Sequence, residues 1–191
     1  MPRPTPCLRS ITLVLAAAAT LLAGQAWASN LPDAVLAGSY GLQRVGAGEL
    51  NWLGRPIYHA SLWTPAGNFT GYKPGEPVAL SLSYQRKFSR DELLRITSTA
   101  WRLLGSVPPE QRERWLAALR AFWSDVGPGD NVTTVVVPGQ ATRFYDHRGF
   151  MGKIDDAAFG PEFLSIWLDQ RSVVGDLRMQ LLGLESSAAR R

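Results

Sequence analysis

The chain has 191 residues, a formal net charge of +4, 46% hydrophobic and 19% charged residues, and a single cysteine. One thiol excludes a disulfide framework and a thiolate zinc site. Its basic residues are scattered arginines rather than the stripe that nucleic acid demands, so nucleic acid is not an expected partner.

The N-terminus has the three parts of a cleavable secretory signal over residues 1–28. Arg3 and Arg9 give a positive start with no acidic residue, Ile11 to Leu22 is apolar, and Ala26-Trp27-Ala28 is a small-x-small cleavage site ahead of Ser29. The apolar stretch is about 12 residues, against roughly 20 for a bilayer-spanning helix. A lipoprotein would need cysteine at position 25, which is Gln25. Cys7 leaves with the signal, so the mature chain carries no thiol to mispair in an oxidising compartment. Two of the basic residues leave as well, which halves the net charge. What remains reads as one periplasmic domain over residues 29–185, with no membrane-spanning segment, and a frayed tail at 186–191.

From Ser39 to Pro77 the pattern is short aromatic and apolar runs between turn signals, read at Gly46-Ala47-Gly48 and Leu53-Gly54-Arg55-Pro56. Val78 to Tyr84 alternates, with Val78, Leu80, Leu82 and Tyr84 directed to a core and Ala79, Ser81 and Ser83 to the opposite face. Ser89-Arg90-Asp91-Glu92 is a capping box. The helix it opens should run to Leu104, stop at Gly105, and bury Leu93, Ile96, Trp101, Leu103 and Leu104. Pro109 starts a second helix with a stripe of Trp115, Leu116, Leu119, Phe122 and Trp123, ended by Gly127-Pro128-Gly129. Asn131 to Val137 is a β-branched strand, and Ala141 to Tyr145 and Phe150 to Ile154 form a hairpin around Asp146-His147-Arg148-Gly149. Asp155 or Asp156 caps a helical stretch through Phe163 and Trp167, and Ser172 caps a last helix, Val173 to Leu182, before Gly183. The order is strands, two helices, strands, two helices. That predicts an α+β domain with an antiparallel sheet and helices on one face.

Familiar catalytic sets are absent. His59 and His147 have no partner at metal-ligand spacing, and no nucleophile elbow or phosphate loop occurs. Asp155-Asp156 reads as a helix cap rather than a catalytic pair. No metal or cofactor is called for. Six tryptophans remain after Trp27, enough to pack a core and to line a pocket.

Three stretches carry a resemblance. They are Gly46 to Glu49 continuing through Gly54 to Trp63; Ala79 to Ser89; and Val137-Pro138-Gly139 with Arg143-Phe144-Tyr145, Gly152-Lys153-Ile154, Phe159, Phe163, Ile166 to Asp169, Leu177-Arg178 and Leu181 to Gly183. Together they resemble the chalcone isomerase-like family in its bacterial exported branch. The resemblance implies that family's open-faced β-sandwich, with a cleft between the sheet and its helices. It also implies a catalytic pattern that is not met. The family's enzymes, which close a flavonoid ring, carry a tyrosine where this chain has Phe88, and an asparagine near Arg95. Their arginine would fall within Gly46 to Glu49, two residues from Arg44, and Tyr58 falls near a threonine. A slip of one residue would bring Tyr84 or Arg86 into a role assigned elsewhere.

The family's non-catalytic branch includes fatty-acid binders that hold a carboxylate with an arginine. The resemblance therefore implies a non-catalytic protein for a small lipophilic acid such as a fatty acid, or an envelope accessory protein with a protein partner. Its ligand-binding set would be Arg95, Phe88, Tyr58, Trp101 and Arg86. Arg95 would otherwise be a solvated helix residue and Trp101 a core residue. The alternative is an intramolecular lyase-type isomerase with a rearranged site.

Overall fold

A computed structural model describes residues 31–184 apart from Ser39. The expected signal at 1–28 and tail at 186–191 lie outside the described residues. In chain order the elements are α1 (Asp33–Ala37), β1 (Gln43–Trp52), β2 (Arg55–Thr64), β3 (Val78–Tyr84), α2 (Arg90–Leu104), α3 (Pro109–Phe122), β4 (Asn131–Val136), β5 (Thr142–Asp146), β6 (Gly149–Ile154), α4 (Phe159–Leu168) and α5 (Gly175–Leu181).

The alternation of β3 places that strand inside the sheet. Six strands pair antiparallel in chain order, β1 to β6, so each strand neighbours the next in sequence. Tyr58, Ala60 and Leu62 of β2 lie opposite Tyr84, Leu82 and Leu80 of β3, and this face meets the helices. The opposite face is also covered. Ala79, Val135 and Tyr145 pack against Leu31 and Val35 of the α1 segment, which the alternation of β3 alone did not reveal. Between them Ser61, Ser81 and Thr133 form a fully buried polar row. It is satisfied internally: the Thr133 hydroxyl donates to Ser81 Oγ (2.9 Å) and the Trp63 indole donates to Ser61 Oγ (2.8 Å).

The helix α2 begins at the expected box. Ser89 Oγ accepts the Glu92 amide at 3.2 Å, and the Glu92 carboxylate accepts the Ser89 amide at 2.8 Å. Gly105 ends it in the left-handed conformation, φ 67°. Its buried face is turned from the expected one, however. Leu94, Thr97, Ala100, Trp101 and Leu104 are buried, whereas Ile96 and Leu103 are exposed. The face follows the contact with α3 and α4 rather than the bulkiest residues.

Two further expectations change. Gly46 and Gly48 are not a turn; both lie inside β1. A Cβ on Gly46 would collide with the backbone carbonyls of Gln180 and Leu181, and one on Gly48 with the Gln180 side chain. These glycines let α5 dock directly on the edge strand, where Gln180 Oε1 accepts the Glu49 amide at 3.1 Å. The second helix ends at Phe122, with Trp123 as its extended C-cap ahead of the expected Gly127, and Ser172 bonds within the approach to α5 rather than opening it.

The Gly46–α5 contact predicts a packing defect on substitution. Gly46→Ala should lower unfolding free energy by about 1–3 kcal/mol in denaturant titration, the usual cost of overpacking. An unchanged midpoint would show that α5 does not bear on β1 at this point.

Candidate functional site

The strand-to-helix step after β3 brings aromatic residues from β2, β3 and α4 together. The Tyr58 and Tyr84 rings meet edge-on at 6.1 Å between centroids, and Tyr84 meets Phe88 at 5.8 Å. From α4, the Trp167 indole donates to the Tyr58 hydroxyl at 2.9 Å. Phe88 is fixed by paired backbone bonds with Val126, each 2.9 Å. The Arg86 guanidinium sits over the outer side of the Phe88 ring, 4.2 Å from its centroid, and is itself exposed.

The rim is charged. The amide and hydroxyl of Ser89 hold the Glu92 carboxyl below its usual pKa, and the charges of Arg86 and Arg95 add to the effect. The floor is dry. Burial pushes the Tyr58 phenol up to about 12, a rise the Trp167 bond partly opposes. Burial raises Tyr84 further, with the neighbouring Tyr58 adding to it.

Of the five residues singled out from sequence, Tyr58, Phe88 and Arg86 lie together. Arg95 is on the exposed side of α2, and the buried neighbour is Leu94. Its place follows from the turned helix face, so it can serve at the rim but not within the site. Trp101 is a core residue and not a pocket residue. It is fully buried against Trp115, Phe159 and Phe163, and its indole donates to the Glu162 carbonyl at 2.8 Å. Sequence reasoning missed Trp167 as the partner of Tyr58. Its signal was present in the Ile166 to Asp169 run, but pairing across 109 positions is set by topology alone.

Where the resemblance implies a cleft, Tyr58, Tyr84 and Phe88 form a chain of ring contacts, Trp167 bonds the Tyr58 hydroxyl, and α5 packs on the β1 edge. Among the described residues no group of three or more His, Cys, Asp or Glu side chains could hold a metal ion, and no helix is long and apolar enough to cross a membrane. His59 pairs with Glu49 at 3.2 Å on the opposite face.

An open antiparallel sheet with α2 to α5 layered on one face and the short α1 segment on the other, and an aromatic site where β2 and β3 meet α4, defines an open-faced β-sandwich. The chain belongs to the chalcone isomerase-like family, whose profile matches residues 24–183. Among solved structures it is similar to a fatty-acid binding protein from Arabidopsis thaliana, with a TM-score of 0.56 and 11% identity over 79% of this chain and 91% of that one. No curated protein sequence matches it.

The buried phenols predict an alkaline limit. Both states keep Tyr58 protonated below pH ~10, the ordinary tyrosine value. Between there and about 12 the unfolded chain loses this proton first, so stability falls as pH rises. Tyr58→Phe strands the Trp167 indole and should cost about 1–3 kcal/mol at neutral pH. That deficit should shrink above pH ~10 in denaturant titrations, because the variant lacks the group whose ionisation opposes folding. A deficit independent of pH would place the Tyr58 phenol in water.

Proposed function

We propose that the protein is an exported, periplasmic, non-catalytic member of its family that binds a small lipophilic acid such as a fatty acid. The observation that carries this reading is the phenyl ring of Phe88 beneath Arg86. Where the family's enzymes have a tyrosine hydroxyl, this chain has a ring that can neither donate a hydrogen bond nor order water. It has instead a guanidinium suited to a carboxylate. Arg86 and Arg95 already flank one carboxylate, that of Glu92, and a ligand headgroup would bind beside it at the rim. The alkyl chain would lie against Tyr58, Tyr84 and Trp167. Because these rings are packed together, entry of an alkyl chain requires them to part. The fold shared with the plant fatty-acid binding protein and the signal pattern at residues 1–28 are consistent with this reading.

Native mass spectrometry of protein taken from its own periplasm should show a bound lipophilic acid, and dodecanoate or hexadecanoate should raise the melting temperature. The double variant Arg86→Ala/Arg95→Ala should weaken binding about tenfold or more, as expected for loss of charge-assisted hydrogen bonds. Chalcone should not be converted above background. No co-purified acid together with no thermal shift would end the lipid reading. Capture of a defined envelope protein in its place would favour an accessory role. Chalcone turnover that vanishes on Arg95→Ala would establish the isomerase alternative.

A further inference from the structure

Two extremes coincide at the tip of the β1–β2 hairpin. Leu53 and Trp52 are the most exposed large hydrophobic side chains among the described residues, at 89% and 69%, and they are consecutive. Leu53 is also the one non-glycine residue among them with a positive φ, 50°. With Gly54 at φ 73° it makes a two-residue turn whose members are both left-handed, a turn that favours asparagine or glycine where Leu53 stands. The β5–β6 turn has no such residue, since only Gly149 is left-handed there. Neither feature of Leu53 serves the fold. Its side chain lies in solvent, and its backbone is strained. Every residue from Asn51 to Pro56 is exposed, so the tip stands clear of the domain.

The surroundings of the tip are cationic. Arg55 lies opposite Trp52 in the strand register and is exposed. The Gln85 amide donates to the Ile57 carbonyl at 2.9 Å, which brings the exposed Arg86 and Lys87 beside the base of the same hairpin. The acidic groups nearest this end are engaged. Glu49 pairs with His59, Glu92 is held by Ser89, and Asp130 accepts the Gly127 amide. Between Leu50 and Ser89 the sequence holds a single acidic residue, Glu76, in the β2–β3 loop at the other end of the sheet, where it pairs with Lys73.

Whatever covers this tip must accept two apolar side chains projecting from a narrow convex turn, with cations behind them. Area argues against a folded protein partner. Stable protein interfaces bury about 1,200–2,000 Å², of which one tryptophan and one leucine at a turn supply a small part. A lipid surface needs no such matched area. Tryptophan is favoured at the headgroup level, leucine at the acyl boundary, and arginine and lysine beside anionic phosphates. We infer that the β1–β2 tip docks the protein on an anionic phospholipid surface, with Trp52 and Leu53 entering the headgroup boundary and the neighbouring cations facing its phosphates. Docking of this kind is peripheral and does not depend on a ligand in the aromatic site.

Co-sedimentation of the protein, as purified from its own cells, with vesicles of equal parts phosphatidylglycerol and phosphatidylcholine tests this. It should bind these vesicles more tightly than vesicles of phosphatidylcholine alone, and added salt should release it. The emission that is missing in Trp52→Phe should be the part that shifts to the blue on binding. Leu53→Asn gives the turn a residue it favours, so it should keep or raise the melting temperature. It should nonetheless weaken vesicle binding about tenfold, the loss of one buried leucine side chain. Leu103→Asn, which removes an exposed leucine from α2, should bind vesicles as wild type does. Leu53→Asn should also keep whatever melting shift dodecanoate gives the wild type, so the docking tip and the proposed ligand site fail separately. The inference is overturned if the wild type does not sediment with the anionic vesicles, if Leu53→Asn binds them unchanged, or if Leu103→Asn weakens binding as much.

Discussion

The fold depends on one lattice of aromatic rings. Trp101 of α2, Trp115 of α3, Phe159 and Phe163 of α4 and Phe144 of β5 contact one another at centroid distances of 5.3–6.3 Å. Such rings bury large apolar areas and add directional edge-to-face attraction. Three helices are thereby fixed against one strand, and the sheet needs no covalent staple. An indole buried in this lattice must still find an acceptor for its N–H. Trp101 reaches the Glu162 carbonyl and Trp115 reaches Asp156, so each hydrogen bond ties its helix to the segment around α4. Asp156 also accepts the Ala158 amide at 2.9 Å, which joins the aromatic core to the entry of α4 through one carboxylate.

The same constraint shapes the aromatic site. Trp167 continues the lattice from Phe163, at 5.5 Å, and its N–H finds the Tyr58 hydroxyl. Tyr58 therefore has a structural duty as acceptor, and burial pushes its phenol up to about 12. A hydroxyl committed in this way is poorly placed to order water for ring closure. Phe88 has no hydroxyl to offer. What faces outward is cationic, with Arg86 over the ring and Arg95 beyond it.

The parts of this structure legible in the sequence were those written in local pattern. The alternation of Val78 to Tyr84 gave a central strand, the capping box placed the start of α2, and the turn at Asp146 to Gly149 placed the last hairpin. The illegible parts were decided by contacts distant in sequence. Gly46 and Gly48 carry the composition of a turn, yet they serve the approach of Gln180 and Leu181 from the far end of the chain. Ile96 and Leu103 have the hydrophobicity of core residues, but α2 settles with Leu94, Thr97 and Ala100 inward because α3 and α4 meet that side. Of the candidate site, Tyr58, Phe88 and Arg86 could be named from the family resemblance, and they lie together, whereas the places of Arg95 and Trp101 depended on the rotation of α2.

That rotation bears on ligand selection. With Leu94 inward, the side of α2 nearest the aromatic cluster is apolar, and Arg95 reaches it only from the rim. A guanidinium inside the aromatic cluster would have to be desolvated against rings, at considerable cost without a paired anion. At the rim it stays exposed and hydrated. The aromatic interior excludes charge and the rim attracts it. Under the proposed function, a ligand that suits both would be apolar along its length and anionic at one end. Flavonoid-like polyphenols would instead bring several hydroxyls into an interior whose tyrosine acceptor is already engaged by Trp167.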